Sequence, residues 1–285
     1  AGRDLKILYW NIQNGMWSDQ GNNYDNFVKF VQSEDPDICV WCEAESRYRT
    51  DTADRMEGCE EAYLPWNWDI LAKRYGHKYV LVCGKRDTFP QVITSKYPLR
   101  IVKRITGNGE DIVVFHGAGW AQAEVGKKTL NIVTLHTWPY KYGYLAEDKT
   151  ASAAEQGGDI FRKQEVEYVC CQTIGSVPQA SSQFWMMLGD FNARSRVDNY
   201  VYGLSDNDKG FLVHDQLIEI HFQRNADAHF VVSDGLFQQS LHRAGQTRFV
   251  VAAHFFVVGN FHLFVVGEIF CQKRAARVQN RHVFR

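Results

Sequence analysis

Four apolar runs in this chain each end in a side chain able to hold a cation or a phosphate. Leu5-Lys6-Ile7-Leu8-Tyr9-Trp10 ends at Asn11, and Ile38-Cys39-Val40-Trp41-Cys42 ends at Glu43. Leu130-Asn131-Ile132-Val133-Thr134-Leu135 ends at His136, and Phe184-Trp185-Met186-Met187-Leu188 runs through Gly189 to Asp190 and Asn192. Residues two apart on a strand project to one side, so Asp190 and Asn192 would share a target if extended backbone persists past Gly189; the competing reading is an ordinary Asx turn. Carboxylates such as Glu43 and Asp190 suit Mg²⁺, Mn²⁺ or Ca²⁺. An imidazole at the rim, His136, can hydrogen-bond a phosphoryl oxygen or steady developing charge. Asn11 and Asn192 orient a phosphate or a water without adding negative charge. Together these residue types fit metal-assisted phosphoester hydrolysis.

Strands and helices must bring these groups together. Spacing predicts a helix from Asn22 to Phe30, with Tyr24, Phe27, Phe30 and Val31 inward, Asn22 or Asn23 as its cap and Pro36 as its stop. A short helix is expected over Pro65–Tyr75. Strands are expected over Lys78–Cys83, Gln91–Thr94, Arg100–Arg104, Asp111–Phe115, Trp120–Val125 and Thr129–Leu135, with glycine turns that suggest antiparallel hairpins. Tyr140–Gly158 reads as a loop overhanging a cleft. Asp159–Ile174 reads as a helix with Ile160, Phe161, Val166, Val169 and Cys170 inward, and Asp206–Ile220 as a further short helix.

The bulk numbers narrow the class. The chain has 285 residues, 45% hydrophobic, which supplies a substantial core. Net charge is -1, so no overall positive field attracts a nucleic-acid backbone. No run is apolar for long enough to span a bilayer. The start, Ala1-Gly2-Arg3, lacks Met and looks processed; we expect a secreted or periplasmic protein, otherwise a cytoplasmic one, and a monomer.

Seven cysteines define no disulfide framework. Cys39 and Cys42 have CxxC spacing, but within an apolar strand their thiols fall on opposite faces, which disfavours zinc or redox chemistry. Beyond Tyr202 the composition changes: no Trp, Tyr, Pro or Met follows, while 11 of the 18 Phe and 7 of the 10 His do. We treat residues 1–285 as one domain whose part 203–285 is anomalous, either a β-rich extension or sequence outside the natural reading frame.

Five words in order resemble the endonuclease/exonuclease/phosphatase superfamily, the deoxyribonuclease-I-like fold. They are Ile7-Leu8-Tyr9-Trp10-Asn11-Ile12-Gln13, Pro36-Asp37-Ile38-Cys39-Val40-Trp41-Cys42-Glu43, Thr94-Ser95-Lys96-Tyr97-Pro98-Leu99, Asn131-Ile132-Val133-Thr134-Leu135-His136 and Leu188-Gly189-Asp190-Phe191-Asn192. The resemblance implies an α/β (α+β) fold, a four-layered sandwich of two mixed β-sheets flanked by helices, with the site at one end of the sheets. It implies that Glu43 binds the divalent metal, with Asn11 near that metal or the phosphate. His136 would contact the scissile phosphate, Asp190 would orient or activate water, and Asn192 would hold phosphate or metal. Glu45 is a weaker rival to Glu43. Members usually finish with a Ser-Asp-His word; here the nearest string is Ser233-Asp234-Gly235.

The leading expectation is therefore a phosphoric ester hydrolase using Mg²⁺, Mn²⁺ or Ca²⁺, a phosphodiesterase, phosphatase or nuclease. Its substrate would be a small phosphate ester, a lipid headgroup or a nucleic acid. The alternative is a non-catalytic binding protein on the same fold, favoured by the missing Ser-Asp-His.

Overall fold

The computed structural model describes residues 5–16, 23–45, 67–139, 158–196, 199–224, 251–255 and 263–267. Ten strands form two sheets. The first joins β1 (Leu5–Asn11), β2 (Ile38–Cys42), β3 (Tyr79–Gly84), β4 (Gln91–Ser95) and β9 (Val251–Phe255) in the order β3-β4-β2-β1-β9. The second joins β5 (Leu99–Gly107), β6 (Val113–Val125), β7 (Lys128–His136), β8 (Phe184–Asp190) and β10 (Leu263–Gly267) in the order β10-β8-β7-β6-β5. Both are mixed: β1 and β2 run parallel, as do β7 and β8, while their outer neighbours β4 and β6 run antiparallel.

Period-two alternation builds the layers. Ile7, Tyr9, Ile38, Val40, Cys42 and Ile93 of the first sheet meet Ala121, Ala123, Ile132, Met186 and Leu188 of the second in one inter-sheet core. The intervening residues face outward onto helices. Leu8, Cys39 and Trp41 pack under α2 (Asn23–Glu34) and α3 (Trp68–Arg74), and Val133, Leu135, Trp185 and Met187 under α4 (Gly158–Gln172) and α6 (Leu212–Arg224). Helix, sheet, sheet, helix is the expected four-layered sandwich. The described residues also include two single-turn helices, α1 (Gln13–Met16) and α5 (Asn199–Tyr202), and short 3₁₀ turns at Ile174–Ser176 and Ala180–Ser182.

Aromatic residues anchor the first outer layer. Tyr24, Phe27, Val28 and Val31 recur at helical spacing and are buried, with Phe30 partly so. Trp41 lies 4.8 Å from Phe27 and stacks on Trp68 at 5.8 Å and 13°. Losing such a ring costs about 3–5 kcal/mol.

Three expectations need correcting. The two strands expected at Asp111–Phe115 and Trp120–Val125 are one, β6, because the glycine-rich step between them bends the strand instead of ending it. Gly117 there has φ +87°, and a Cβ would sit 2.8 Å from the backbone of Lys85 and Arg86. Ile160, expected inward on α4, is exposed, and the helix buries Asp159, Arg162 and Glu165 alongside Val166, Val169 and Cys170. The helix expected from Asp206 begins only at Leu212, after a 3₁₀ turn over Lys209–Phe211 capped by the Asp208 carboxylate on Gly210 N–H. Asn22, Trp66, most of the Tyr140–Gly158 loop and Ser233-Asp234-Gly235 lie outside the described residues.

Candidate active site

The parallel pairs β1–β2 and β7–β8 deliver their C-terminal ends to the same end of the sandwich. Inward positions run Ile7, Tyr9, Asn11 on β1, Ile132, Thr134, His136 on β7, and Met186, Leu188, Asp190 on β8. The alternation that fills the inter-sheet core therefore places a polar group as the last inward residue of each strand. His136 and Asp190 are register partners, as are Asn11 and Cys42, the residue before Glu43. Gly189 makes the β7–β8 approach possible: a Cβ there would stand 1.9 Å from the Leu135 carbonyl oxygen.

Asn11 ties the two sheets together. Its Nδ2 donates to Glu43 Oε1 and to Asp190 Oδ2, each at 3.0 Å, and its Oδ1 accepts from Gln13 N–H at 3.0 Å. One amide thus holds two carboxylates from opposite sheets side by side. His136 Nε2 lies 3.8 Å from Asp190 Oδ2, too far for a hydrogen bond but close enough for electrostatic attraction, and His136 Nδ1 is buried without a hydrogen-bond partner among the described residues. Glu43, His136 and Asp190 each offer a ligand atom within 4.8 Å of the others.

Both carboxylate-bearing strands end in left-handed backbone. Glu43 has φ +54° and Asn192 φ +44°. Asparagine tolerates this conformation, whereas for glutamate it costs on the order of 1 kcal/mol and persists where surrounding bonds enforce it. They do: Gly15 N–H donates to the Glu43 carbonyl at 2.7 Å, and Asn192 N–H donates to Asp190 Oδ1 at 2.9 Å. Asn192 Nδ2 donates to the Thr137 carbonyl at 3.1 Å, so Asn192 sits beside Asp190 but against the β7 end. The bond from Asn192 N–H back to Asp190 is the Asx turn weighed in the sequence. Glu45 pairs instead with Lys85 at 2.8 Å.

Burial pushes the Asp190 carboxyl above its ordinary range, against the pull of His136 and of Asn192 N–H. Two further residues adjoin His136 that the strand-end pattern missed. The His116 ring lies 4.2 Å from that of His136, and its Nδ1 is 2.7 Å from Asp87 Oδ2. Burial and the neighbouring His136 lower the His116 pKa to about 4, so the contact is a neutral N–H donating to a carboxylate. His116 lies within β6 rather than at a strand end, and only a search for imidazoles facing the inter-sheet rim could have found it. Phe89 closes this side, 4.7 Å from the His116 ring.

Cys39 and Cys42 are fully buried on opposite faces of β2, and burial raises both thiols well above their ordinary pKa. Neither zinc binding nor disulfide exchange suits such groups. Among the described residues, no helix is long and apolar enough to cross a membrane.

No family model matches the sequence, and no match is found among curated proteins. Among solved structures the chain is similar to an endonuclease/exonuclease/phosphatase from Beutenbergia cavernae DSM 12333, at 13% identity over 77% of this chain and 54% of that one, with a TM-score of 0.48. It is also similar to a beta toxin double mutant from Staphylococcus aureus with bound magnesium ions, at 15% identity over 82% and 75%, TM-score 0.46. A third is the human Nocturnin catalytic domain with bound sulfate, at 13% identity over 72% and 69%, TM-score 0.44. At these values the likeness stands as a likeness only. In its five strand-end words and in the two mixed sheets that carry them, the chain resembles the endonuclease/exonuclease/phosphatase superfamily.

Proposed function

We propose that this protein is a divalent-metal-dependent phosphoester hydrolase. One observation carries the reading: ligand atoms of Glu43, His136 and Asp190, from strands of both sheets, lie within 4.8 Å of one another beside Asn11 and Asn192. The donor set suits a hard cation, with two carboxylates held side by side and a buried imidazole nitrogen that has no partner among the described residues. Glu43 is the residue to hold Mg²⁺, Mn²⁺ or Ca²⁺, with Asn11 beside it. A bound cation would supply positive charge against the phosphoryl oxygens and the leaving group.

The chain's own residues do the rest. Asp190, oriented by Asn11 and Asn192 N–H, accepts a proton from the attacking water as the oxygen–phosphorus bond forms. His136 places an imidazole where charge grows on the phosphate. Asn11 holds the two carboxylates side by side and oriented, and Asn192 holds Thr137 and so the β7 end. As that bond forms, the ester P–O bond on the opposite side breaks and the departing alkoxide takes a proton from water, so a diester yields a monoester and an alcohol.

The second reading, a non-catalytic binder, is favoured by the missing Ser-Asp-His. One assay separates the two: turnover of bis-(p-nitrophenyl) phosphate with Mg²⁺ or Mn²⁺, against the same protein in EDTA. Metal-dependent release of nitrophenol supports hydrolysis. Metal binding with no turnover of mono- or diester supports the binder.

A further inference from the structure

Three charged side chains on α4 are buried outside the group described above: Asp159, Arg162 and Glu165, exposed by 3%, 0% and 1%. Their spacing of three places them on one helix face. Burying such groups is costly, and apolar residues of similar volume often stabilise a fold as well or better, so their partners indicate what the burial achieves.

Glu165 and Arg162 bond backbone groups flanking the two imidazoles, and Asp159 pairs with Arg162. Trp138 N–H donates to Glu165 Oε2 at 3.1 Å, and Phe115 N–H donates to Glu165 Oε1 at 2.7 Å. Arg162 Nη1 donates to the carbonyls of Trp138 and Pro139, each at 3.3 Å, while Nη2 is fixed by Asp159 Oδ1 at 2.9 Å. Trp138 is thus gripped at both its N–H and its carbonyl. It lies two residues past His136, and Phe115 immediately precedes His116, whose ring touches that of His136. On the far side, Thr137 N–H donates to the Asp190 carbonyl at 3.0 Å and its own carbonyl accepts from Asn192. The β7 end is held to β8 by one set of bonds and to α4 by the other. The second set fixes the backbone of Trp138, whose ring also packs on Phe115 with centroids 3.6 Å apart.

We propose that Glu165, with Arg162 beside it, is a positioning residue: its carboxyl joins β6 to the segment after β7 and so sets the His136 imidazole against Asp190. The inference rests on the hydrolase reading for its effect on turnover, but not for its effect on the ring.

The test uses Glu165→Ala and Glu165→Gln in the full chain, with Ile160→Ala, on the exposed face of the same helix, as control. Three quantities are read: kcat and KM for bis-(p-nitrophenyl) phosphate with Mn²⁺, Mn²⁺ affinity, and the His136 ring nitrogen resonances. For Glu165→Ala we expect kcat to fall at least about tenfold with KM within about twofold. We also expect Mn²⁺ affinity to be retained within about threefold and the His136 resonances to move. Glu165→Gln keeps one acceptor and should lie between, and it decides the matter if the alanine variant fails to fold. Unmoved His136 resonances with kcat within about twofold of wild type would overturn the proposal, even if the melting temperature falls. If the wild-type protein hydrolyses no ester, the hydrolase reading fails by itself, and the ring resonances alone decide the positioning role.

Discussion

Glu165 offers a prediction whose size follows from its surroundings. Its carboxyl is wholly buried, and desolvation raises its pKa from 4.5 to about 8, against the pull of the Phe115 and Trp138 N–H groups. In the unfolded chain the same group titrates at its ordinary value, so between about pH 4.5 and 8 the folded state binds the extra proton. Stability contributed by the protonated form is therefore present below the lower value and lost as pH rises to the upper one. At about 1.4 kcal/mol per pH unit, the loss reaches up to roughly 5 kcal/mol. Glu165→Gln cannot titrate, but it turns an NH₂ toward one of two N–H donors, at a pH-independent cost of about 1–3 kcal/mol. Wild type should thus be the more stable protein at pH 5, and the variant should match or exceed it at pH 8. Urea denaturation with linear extrapolation at the two pH values reads this directly. A wild-type-minus-variant difference that does not change with pH would refute the reasoning.

The remaining predictions concern the strand ends and the core. Asp190→Asn keeps shape but removes the proton acceptor, and kcat should fall about 10²–10⁴-fold, measured against circular dichroism to show an intact fold. Gly189→Ala forces a Cβ onto the Leu135 carbonyl; we expect a loss of at least about 1–3 kcal/mol in denaturant unfolding together with reduced turnover. Thiol titration of the native protein should leave Cys39 and Cys42 unlabelled and find them only after denaturation, since both are fully buried.

The scaffold was legible because its signals are local. Unbroken apolar runs such as Ile7-Leu8-Tyr9 and Met186-Met187-Leu188 mark strands with two buried faces, and polar residues closing such strands stand out against the run. Glycine misled where its task was tertiary. At Gly117 it serves a bend against Lys85 and Arg86, which no neighbour in sequence reveals. Ile160 misled for a related reason: helical spacing says which residues share a face, but not that the buried face of α4 would be given to Asp159, Arg162 and Glu165. Their partners are backbone groups of β6 and the β7 end, 23 to 50 residues away. His116 and Asp87 escaped notice because their relation to His136 exists only once β6 lies beside β7. The left-handed turn at Glu43 was equally hidden, since glutamate gives no hint of such backbone, whereas the turn at Asn192 was open to reading as an Asx turn.

The most direct test of the central claim is Mn²⁺ binding by calorimetry to the wild-type protein and to Glu43→Gln. If the strand ends form a divalent-metal centre, wild type binds Mn²⁺ and the variant binds it at least about tenfold more weakly with the fold intact. Equal affinities, or no binding to the wild-type protein, would contradict it.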